Sequence, residues 1–372
     1  MDIAILCTLG PASLDADIIR RLDERAVDLF RINLSHTPLD AVEPTIKWVQ
    51  RHSSTPICLD TEGAQVRCGT MAPDVVVDPG QTVRLTATPV VGSTTELSLR
   101  PASALAALEP GSLVSIDFDG ALLQVTDADE AGAVAVVVDG GLIRSNKATT
   151  VDPAPTLPAL TDDDVQAIEV GQRCGVEHFA LSFASCAEDI ALLRTLTSPT
   201  AHLIAKVESR AGIRNLDGII GAADAVLIDR GDLSREVPLE YVPFYQKVVV
   251  RRANRWNTPV FVATNLLESM VTNRRPTVAE ANDIANTLMD GVHGLVLAAE
   301  TAVGIDPVGT VDIVLRMIDA FERWNLSPLL EEDRLATATS LSREQAVTRT
   351  TGPRSNEQLG PWKTRARAKA GA

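Results

Sequence analysis

The residues best suited to chemistry are one lysine and two acids within the stretch Ala201–Asp232. Lys206 and Glu208 end an apolar run, and residues two apart on a strand point to the same face. Asp232 follows a second apolar run, AVLIDRGD. Two carboxylates suit Mg²⁺, which usually binds one or two protein acids together with substrate and water oxygens. The alternative interpretation is an ordinary charged rim on a parallel sheet.

The same stretch predicts a strand, a helix and a second strand. The segment IRNLDGIIGAAD between the two apolar runs has apolar residues at helical spacing. Parallel strands joined by a crossover helix open their carboxyl ends on one edge, so the three charged residues should converge there. Lys206 also needs a charged partner, because an unpaired buried ammonium is costly.

Polar residues follow the first three predicted strands as well. These strands are IAILCTLG (3–10), LFRINLSH (29–36) and TPICLDTEG (55–63). The polar residues at their ends are Thr8, Arg31, Asn33, Ser35, Asp60 and Thr61. Side chains beyond the carboxyl ends of barrel strands face the active site, so the pattern predicts one catalytic edge. Helices are predicted to begin after Ser13, Thr161 and Ser185, which are capping residue types.

The alternation of strands and helices predicts an α/β fold with eight strands, the (β/α)₈ or TIM barrel. Residues 69–152 change to short alternating strands between Pro, Gly and Asp turns, which indicates a small inserted all-β domain after the third strand. We therefore expect a barrel over residues 1–68 and 153–326. Residues 327–372 lack apolar periodicity and are predicted to form a flexible tail.

Composition narrows the class of protein. The 372 residues are 45% hydrophobic and carry a net charge of −15, which argues against nucleic acid and anionic membranes as partners. There is no apolar run of about 18 residues, and MDIAILCTLG lacks the basic start of a signal peptide. Five cysteines without CxxC spacing are typical of reduced thiols in a cytoplasmic protein, which is the expected localisation.

Eight motifs at the strand ends resemble those of the pyruvate kinase family in order and spacing. They are TLGPAS, RINLSH, LDTEGAQVR, IAKVES, DRGDLSREVP, ATNLLESM, RRPTVAEANDIAN and AAETAVG. The resemblance extends over about residues 3–325, and VSIDFDGALLQV and DGGLIRSNKATT resemble the family's B domain. No stretch resembles its C-terminal allosteric domain, so we expect no regulation by a sugar phosphate at such a domain.

The resemblance implies roles for the residues on the substrate side. Glu208 and Asp232 would hold Mg²⁺ or Mn²⁺, and Lys206 would stabilise the transferring phosphoryl group. Thr264 would help to position pyruvate, and backbone N–H groups of Arg230, Gly231 and Asp232 would bind the substrate carboxylate.

The resemblance also implies a nucleotide side and a monovalent cation. Arg31 and Arg67 would contact phosphates, with Arg31 counted among the catalytic residues, while His36 and Lys147 match nucleotide-side positions. Judged alone, Lys147 and His36 are ordinary surface residues, and Arg67 has the alternative of pairing with an acid. The residues that match the K⁺ site are Asn33, Ser35, Asp60 and Thr61.

Several positions depart from the family pattern. Where the family has LDTKGPEIR this chain has LDTEGAQVR, so Glu62 replaces a lysine and Gln65 replaces a glutamate, which leaves K⁺ dependence open. Where the family has ARGD this chain has DRGD, and Asp229 should repel a substrate carboxylate unless it points away or pairs with a cation. Asp229 and Glu62 leave the phosphoryl acceptor open.

The resemblance implies phosphoryl transfer between phosphoenolpyruvate and ADP, giving pyruvate and ATP. A close variant uses another phosphoryl acceptor. The alternatives are a Mg²⁺-dependent lyase or aldolase acting through a pyruvate enolate, and a non-catalytic homologue. A homo-oligomer is expected, and a dimer through the barrel face is the simplest form.

Overall fold

The chain folds into two compact units. The computed structural model describes residues 3–117, 120–129 and 132–326, so the tail predicted for 327–372 lies outside the described residues. One unit contains the described residues up to Glu62 and from Asp162 onward, and the other contains Gly63–Thr161.

The first unit is a closed barrel of eight parallel strands. In chain order the strands are Ala4–Thr8, Leu29–Asn33, Ile57–Asp60, His178–Leu181, His202–Val207, Ala225–Asp229, Val260–Ala263 and Gly294–Leu297. Each strand pairs with its neighbours in this order, and the first pairs with the last. The predicted (β/α)₈ fold is thus confirmed, and the carboxyl ends of all eight strands lie at one rim.

Alternate residues of the strands fill the barrel interior with small and branched side chains. The interior cluster includes Leu6, Leu227 and Phe261, all of which are buried. Gly294 leaves space beside Phe261, because a Cβ atom there would lie 2.6 Å from Phe261 Cδ1 and 2.8 Å from the carbonyl oxygen of Ala4. The low aromatic content of the sequence, 3%, is consistent with this aliphatic interior.

Helices cover the outside of the barrel. The α-helices are Ala16–Asp23, Leu39–His52, Asp162–Arg173, Ala187–Leu196, Arg210–Arg214, Leu216–Ala222, Arg230–Glu236, Val242–Arg255, Val278–Met289, Ala299–Ala302 and Pro307–Leu326. Short 3₁₀ helices are Leu239–Tyr241 and Glu268–Val271. The single crossover helix predicted between the fifth and sixth strands is two short helices, which meet at Asn215.

Two predicted helix starts are wrong. Ser13 does not cap the first helix, because its hydroxyl accepts a hydrogen bond from Gly10 N (3.0 Å) in the turn after the first strand. Asp15 is the cap instead and accepts from Asp17 N and Ile18 N. Likewise the fourth-strand helix is capped by Cys186 rather than Ser185. Sequence marks the turn in both places but does not determine which polar residue reaches the backbone N–H groups.

The second unit is all-β. Its larger sheet has seven strands: Arg67–Cys68, Thr82–Thr86, Glu96–Arg100, Leu113–Ile116, Ala121–Asp129, Gly132–Asp139 and Thr149–Asp152. A second, two-stranded sheet pairs Val75–Val77 with Gly141–Ile143. A 3₁₀ helix, Ala102–Ala107, completes the unit. Its own apolar core includes Leu85, Leu97 and Leu123, which are fully buried.

Two further features of the described residues bear on the sequence-based expectations. No helix in the described ranges is both long and apolar enough to cross a membrane. All five cysteines are free; Cys7, Cys58 and Cys68 are buried, whereas Cys174 and Cys186 are partly exposed. Burial raises the pKa of the Cys7 and Cys58 thiols above their usual range.

We predict that Gly294→Ala lowers the free energy of unfolding by about 1–3 kcal/mol, the range observed for overpacked cores. The added methyl group would contact the Phe261 ring and a backbone carbonyl that closes the barrel. The matched control is Gly218→Ala at an exposed position of the helix Leu216–Ala222, where a Cβ meets only Ala187 Cβ at 3.7 Å. Chemical denaturation should show the control to be neutral or more stable by up to about 1 kcal/mol. Equal effects of the two substitutions would contradict the tight packing at Gly294.

Candidate functional site

Lys206 lies at the carboxyl rim of the barrel, near the end of the fifth strand, and is 5% exposed. Its Nζ donates to Ser182 Oγ at 2.9 Å and lies 2.9 Å from Glu208 Oε1. Asp60 Oδ1 is 3.3 Å from the same nitrogen. The expectation that Lys206 has charged partners is confirmed.

Asp60 connects this lysine to a second cation. Its side chain is fully buried, and its Oδ2 lies 3.4 Å from Arg31 Nε. Ser182 Oγ donates to the backbone carbonyl of Thr61 at 2.6 Å and approaches Asp60 Oδ1 at 3.4 Å. Charges therefore alternate in the order Arg31, Asp60, Lys206, Glu208, from the second strand through the third to the fifth. Such alternation offsets much of the cost of removing each charge from water.

The environment keeps Lys206 protonated. Burial by itself would lower the pKa of the ammonium, but the carboxylates of Asp60, Glu208 and Asp229 outweigh burial and raise that pKa above its usual range. A positive charge is thus held at the rim at neutral pH, in a site that largely excludes water.

Three acids face one another beside Lys206. Glu208, Asp229 and Asp232 each offer a carboxylate oxygen, and these oxygens lie within 4.8 Å of one another. Burial raises the pKa of Glu208, with further increases from Asp232 and Asp229, while Lys206 opposes the change. Burial and the Asp229 carboxylate also raise the pKa of Asp232. Mutual repulsion of this kind would be relieved by a bound cation.

The three acids fit a divalent cation. Oxygens bound to one Mg²⁺ at about 2.1 Å lie about 3 Å apart when adjacent and about 4.2 Å apart when opposite. The three oxygens, which lie within 4.8 Å of one another, would move closer together to bind one ion. Glu208 is oriented by Phe183 N, which donates to its Oε2 at 2.7 Å, while Asp232 Oδ1 is 3.2 Å from Arg235 Nη1. All-oxygen ligation of this type suits Mg²⁺ or Mn²⁺.

Asp229 also holds the next strand end. Its Oδ1 accepts from Gly231 N at 3.1 Å, with Asp232 N at 3.5 Å. Thr264 Oγ1 lies 2.9 Å from the same oxygen and 2.6 Å from the Ala263 carbonyl, and its hydroxyl hydrogen is shared between them. Gly231 N also donates to Thr264 Oγ1 at 2.8 Å. Two of the three backbone N–H groups expected to bind a substrate carboxylate, those of Gly231 and Asp232, are thus directed at a carboxylate of the chain itself. Asp229 is expected to repel a substrate carboxylate unless its side chain points away or pairs with a cation. The side chain does not point away from these N–H groups.

Thr264 adopts an unusual backbone conformation. Its φ is +66° and that of Asn265 is +54°, in the left-handed region that β-branched residues rarely adopt. Arg230 supports this conformation, because its guanidinium donates to the Thr264 carbonyl at 2.6 Å and to Asp283 Oδ2 at 2.7 Å. Arg230 therefore holds the seventh strand's end through its side chain. Strain of this type is maintained where the surrounding structure specifies it, commonly at functional sites.

Arg31 has unused hydrogen-bonding capacity. It is 5% exposed, and its Nε and Nη1 form no hydrogen bond with any residue that the structure describes. Buried N–H groups without acceptors are costly, so this guanidinium is suited to an anionic ligand.

The side chain of Glu300 is fully buried at the end of the eighth strand, and its Oε2 accepts from Ala298 N at 3.1 Å.

The four residues that match a K⁺ site lie on two adjacent strand ends. Asn33 pairs in register with Asp60, and Asn33 Oδ1 accepts from Ser35 N at 2.9 Å. Thr61 Oγ1 accepts from Ser182 N at 3.0 Å. The Asp60 carboxylate already lies between the cationic side chains of Arg31 and Lys206. A K⁺ ion would therefore depend on the uncharged oxygens of Asn33, Ser35 and Thr61, and K⁺ binding remains a prediction.

The residues predicted for the nucleotide side fall in both units. His36 is exposed on the barrel unit, after the second strand. In the β unit, Lys147 Nζ lies 2.9 Å from Asp117 Oδ2, and Arg67 Nη1 donates to the Asn146 carbonyl at 3.2 Å. Their role toward a nucleotide remains a prediction.

Sequence reasoning missed two contributions to this site. Ser182, within HFALSFA, bonds to the lysine and to the third strand's end, and its position just beyond a barrel strand was the available signal. Asp229 was identified only as a source of repulsion, whereas it is the third member of the acidic cluster and the cap of the helix Arg230–Glu236.

The chain matches a family model described as the barrel domain of pyruvate kinase, over residues 2–311. It is 37% identical over 328 residues to a pyruvate kinase of Methylorubrum extorquens, a match that covers 86% of this chain and 68% of that protein. A pyruvate kinase of Corynebacterium glutamicum is 34% identical, over 84% of this chain and 68% of the relative. One from Mycobacterium tuberculosis is 36% identical, over 86% and 70% respectively.

We predict that Asp60→Asn lowers the free energy of unfolding by about 3–5 kcal/mol, because it leaves two buried cations without their shared carboxylate. The matched control is Asp319→Asn, which breaks the exposed pair of Asp319 with Arg323 and should cost less than about 1 kcal/mol. Urea denaturation of the three proteins measures both values. If Asp60→Asn lowers the free energy of unfolding no more than Asp319→Asn does, the contacts of Asp60 with Arg31 and Lys206 do not stabilise the barrel as proposed.

Proposed function

Because this chain belongs to the pyruvate kinase family, and is thereby a phosphotransferase of the pyruvate kinase type, we propose the following reaction. The protein transfers a phosphoryl group between phosphoenolpyruvate and ADP, with pyruvate and ATP as products, and requires Mg²⁺ or Mn²⁺. One observation carries the proposal. Lys206, Glu208 and Asp232 gather at one rim of the barrel, within a buried and highly charged site.

Lys206 is the residue that stabilises the transferring phosphoryl group. Its ammonium is held in place by Ser182 and two carboxylates, so it needs no reorganisation when negative charge develops nearby. Phosphoryl transfer depends mainly on positioning and on such electrostatic stabilisation. The largely buried position strengthens the interaction, because less water screens it.

Glu208 and Asp232 are the proposed ligands of the divalent cation. When bound, such an ion supplies positive charge that stabilises oxygen atoms of the substrate. The protein orients Glu208 through Phe183 N and holds Asp232 at the start of the helix Arg230–Glu236. The raised pKa values of both acids in the absence of a cation are consistent with residues placed for cation binding.

Thr264 and the turn at Arg230, Gly231 and Asp232 are proposed to position the small acid. The Thr264 hydroxyl and the backbone N–H groups of Gly231 and Asp232 converge at the rim on Asp229 Oδ1, which a substrate carboxylate would displace. Arg230 acts by fixing the Thr264 carbonyl, as its side-chain contacts indicate.

Phosphate contacts are proposed for Arg31 and Arg67, with His36 and Lys147 on the nucleotide side. The unused N–H groups of Arg31 favour a phosphorylated substrate over the alternative lyase or aldolase, which needs no phosphate. A non-catalytic homologue would not need to maintain four buried charges at one rim. We also propose that a K⁺ ion binds near Asn33, Ser35, Asp60 and Thr61. If the protein does not phosphorylate ADP, we propose another phosphoryl acceptor in its place.

We predict that Lys206→Ala lowers kcat by at least about a hundredfold, the scale expected when a charge that stabilises the transition state is removed. A coupled assay of pyruvate release, with phosphoenolpyruvate, Mg²⁺ and ADP, measures the effect. Lys47→Ala is the matched control, since Lys47 forms only an exposed pair with Glu43 and should leave kcat unchanged. Circular dichroism should establish that both variants are folded.

Wild-type turnover by Lys206→Ala would refute the role of the lysine. If the wild-type protein releases no pyruvate with ADP, GDP or water as acceptor, the proposed reaction itself is wrong. Release with another nucleoside diphosphate but not with ADP would replace ADP in the proposal.

We also predict that Glu208→Gln weakens Mn²⁺ binding by at least about tenfold, because one charged ligand is lost. Calorimetric titration of the protein with MnCl₂, without substrate, measures this affinity. The control is Glu43→Gln at the surface, which removes the same charge from the chain without touching the rim. Equal Mn²⁺ affinity in all three proteins would place the cation elsewhere.

A further inference from the structure

Asp229 is a buried acid at the rim for which the proposed reaction has no role. It ends the sixth barrel strand, pairs in register with Ala263, and is 4% exposed. It forms no ion pair with any residue in the described part of the chain, unlike its neighbours Glu208 and Asp232. A buried carboxylate without a cation is costly unless it is strongly hydrogen bonded or binds one.

Asp229 occupies the backbone donors that the proposed function assigns to a substrate carboxylate. Gly231 N donates to Oδ1 at 3.1 Å, and Asp232 N approaches it at 3.5 Å. Thr264 Oγ1 lies 2.9 Å from Oδ1 and 2.6 Å from the Ala263 carbonyl, so its single hydroxyl hydrogen is shared between two acceptors. Polar groups from two different strand ends thus converge on this one carboxylate oxygen. Any small acid that used the same donors would need to displace Asp229 from them.

Asp229 also adds negative charge next to the proposed cation ligands. One of its oxygens lies within 4.8 Å of oxygens of Glu208 and Asp232. Two carboxylates at such distances repel each other unless a cation lies between them. The residue therefore affects a divalent cation and an anionic substrate in opposite directions.

We propose, building on the proposed function, that Asp229 determines the specificity of the site. It supplies from the protein a carboxylate that occupies the donors available to a substrate carboxylate and adds a third ligand for the divalent cation. The consequence is a site that binds the cation more tightly without substrate and binds small carboxylate ligands more weakly. Phosphoenolpyruvate then binds only by displacing Asp229 from the Thr264 and Gly231 donors.

Helix capping is the simpler role for Asp229, and it makes a different prediction. Its carboxylate caps the helix Arg230–Glu236, so a purely structural residue would affect stability and leave both ligand affinities nearly unchanged. Asp15 provides the matched control. It caps the helix Ala16–Asp23 in the same way, with hydrogen bonds from Asp17 N and Ile18 N, and is exposed and outside the acidic cluster.

The experiment compares the wild-type protein with Asp229→Ala, Asp229→Asn and Asp15→Ala by two titrations. The first uses MnCl₂ alone, and Asp229→Ala should bind Mn²⁺ about tenfold more weakly, since a charged ligand is lost. The second uses oxalate, a small dicarboxylate, with saturating Mn²⁺. Asp229→Ala should bind oxalate at least about tenfold more tightly, because a competing like charge has been removed.

Asp229→Asn retains an acceptor for the cap and tests the case in which Asp229→Ala fails to fold. It should bind Mn²⁺ more weakly than the wild type and oxalate more tightly, though less tightly than Asp229→Ala, because its amide oxygen still occupies the donors. Asp15→Ala should match the wild type in both titrations. Unchanged or weaker oxalate binding by the folded Asp229 variants would overturn the proposal, as would a change of equal size in Asp15→Ala.

The same proteins separate this proposal from the proposed function. Pyruvate release by the wild type, together with unchanged oxalate affinity in the Asp229 variants, would refute only the role of Asp229. Tighter oxalate binding in those variants, with no pyruvate released from phosphoenolpyruvate by any of the proteins, would refute only the reaction. If both hold, Asp229→Ala should also show a lower KM for phosphoenolpyruvate.

Discussion

The buried pairing of Asp60 with Lys206 and Arg31 is the interaction on which the rest of the site depends. These residues belong to the second, third and fifth barrel strands, so their charges meet only when the second to fifth strands pair side by side. Removing the charges of Arg31, Asp60, Lys206 and Glu208 from water costs free energy, and this cost is offset only when each charge has a partner of opposite sign. The alternation of positive and negative side chains therefore stabilises the rim and also holds Lys206 in the position proposed for catalysis. It also sets the position of Glu208 through its 2.9 Å contact with Lys206.

Backbone strain is concentrated at the same rim. Phe183 and Thr264 both have positive φ values, +53° and +66°, within two residues of the ends of barrel strands. Phe183 uses this conformation to direct its N–H at Glu208, and Thr264 uses it to place its hydroxyl beside Gly231 N. Neither residue is a glycine, so the conformations carry a cost that the surrounding contacts must support.

Asp229 shows how one residue changes what a site can bind. Asp229 adds one carboxylate to the acidic cluster, the region that we propose binds both a cation and an anionic substrate. Because it lies on the donors and beside the cation ligands, its effects on the two cannot be independent. Ligand specificity in this barrel is therefore a balance between protein and substrate carboxylates, and the balance depends on which of them is held closer to the donors.

The sequence by itself determined the order of the elements and the location of the chemistry. Apolar runs that end in Arg31, Asp60, Lys206 and Asp232 predicted parallel strands with one functional edge, because parallel strands connected by helices must align their carboxyl ends. Its motifs also identified the family, which the matched barrel and relatives bear out. The apolar periodicity and the short motifs both depend on residues that are close together in the sequence, so the sequence alone is enough to identify them.

Only the tertiary structure decided which polar groups contact one another. Ser13 and Asp15 are both capping residue types, and the choice between them depended on which side chain reached the free N–H groups. Asp229 could equally have pointed away from the rim, and its three donors come from two strand ends that are 35 residues apart. Hydrogen bonds depend on distances of a few tenths of an ångström between groups that are remote in sequence, so residue types and spacing alone do not determine them.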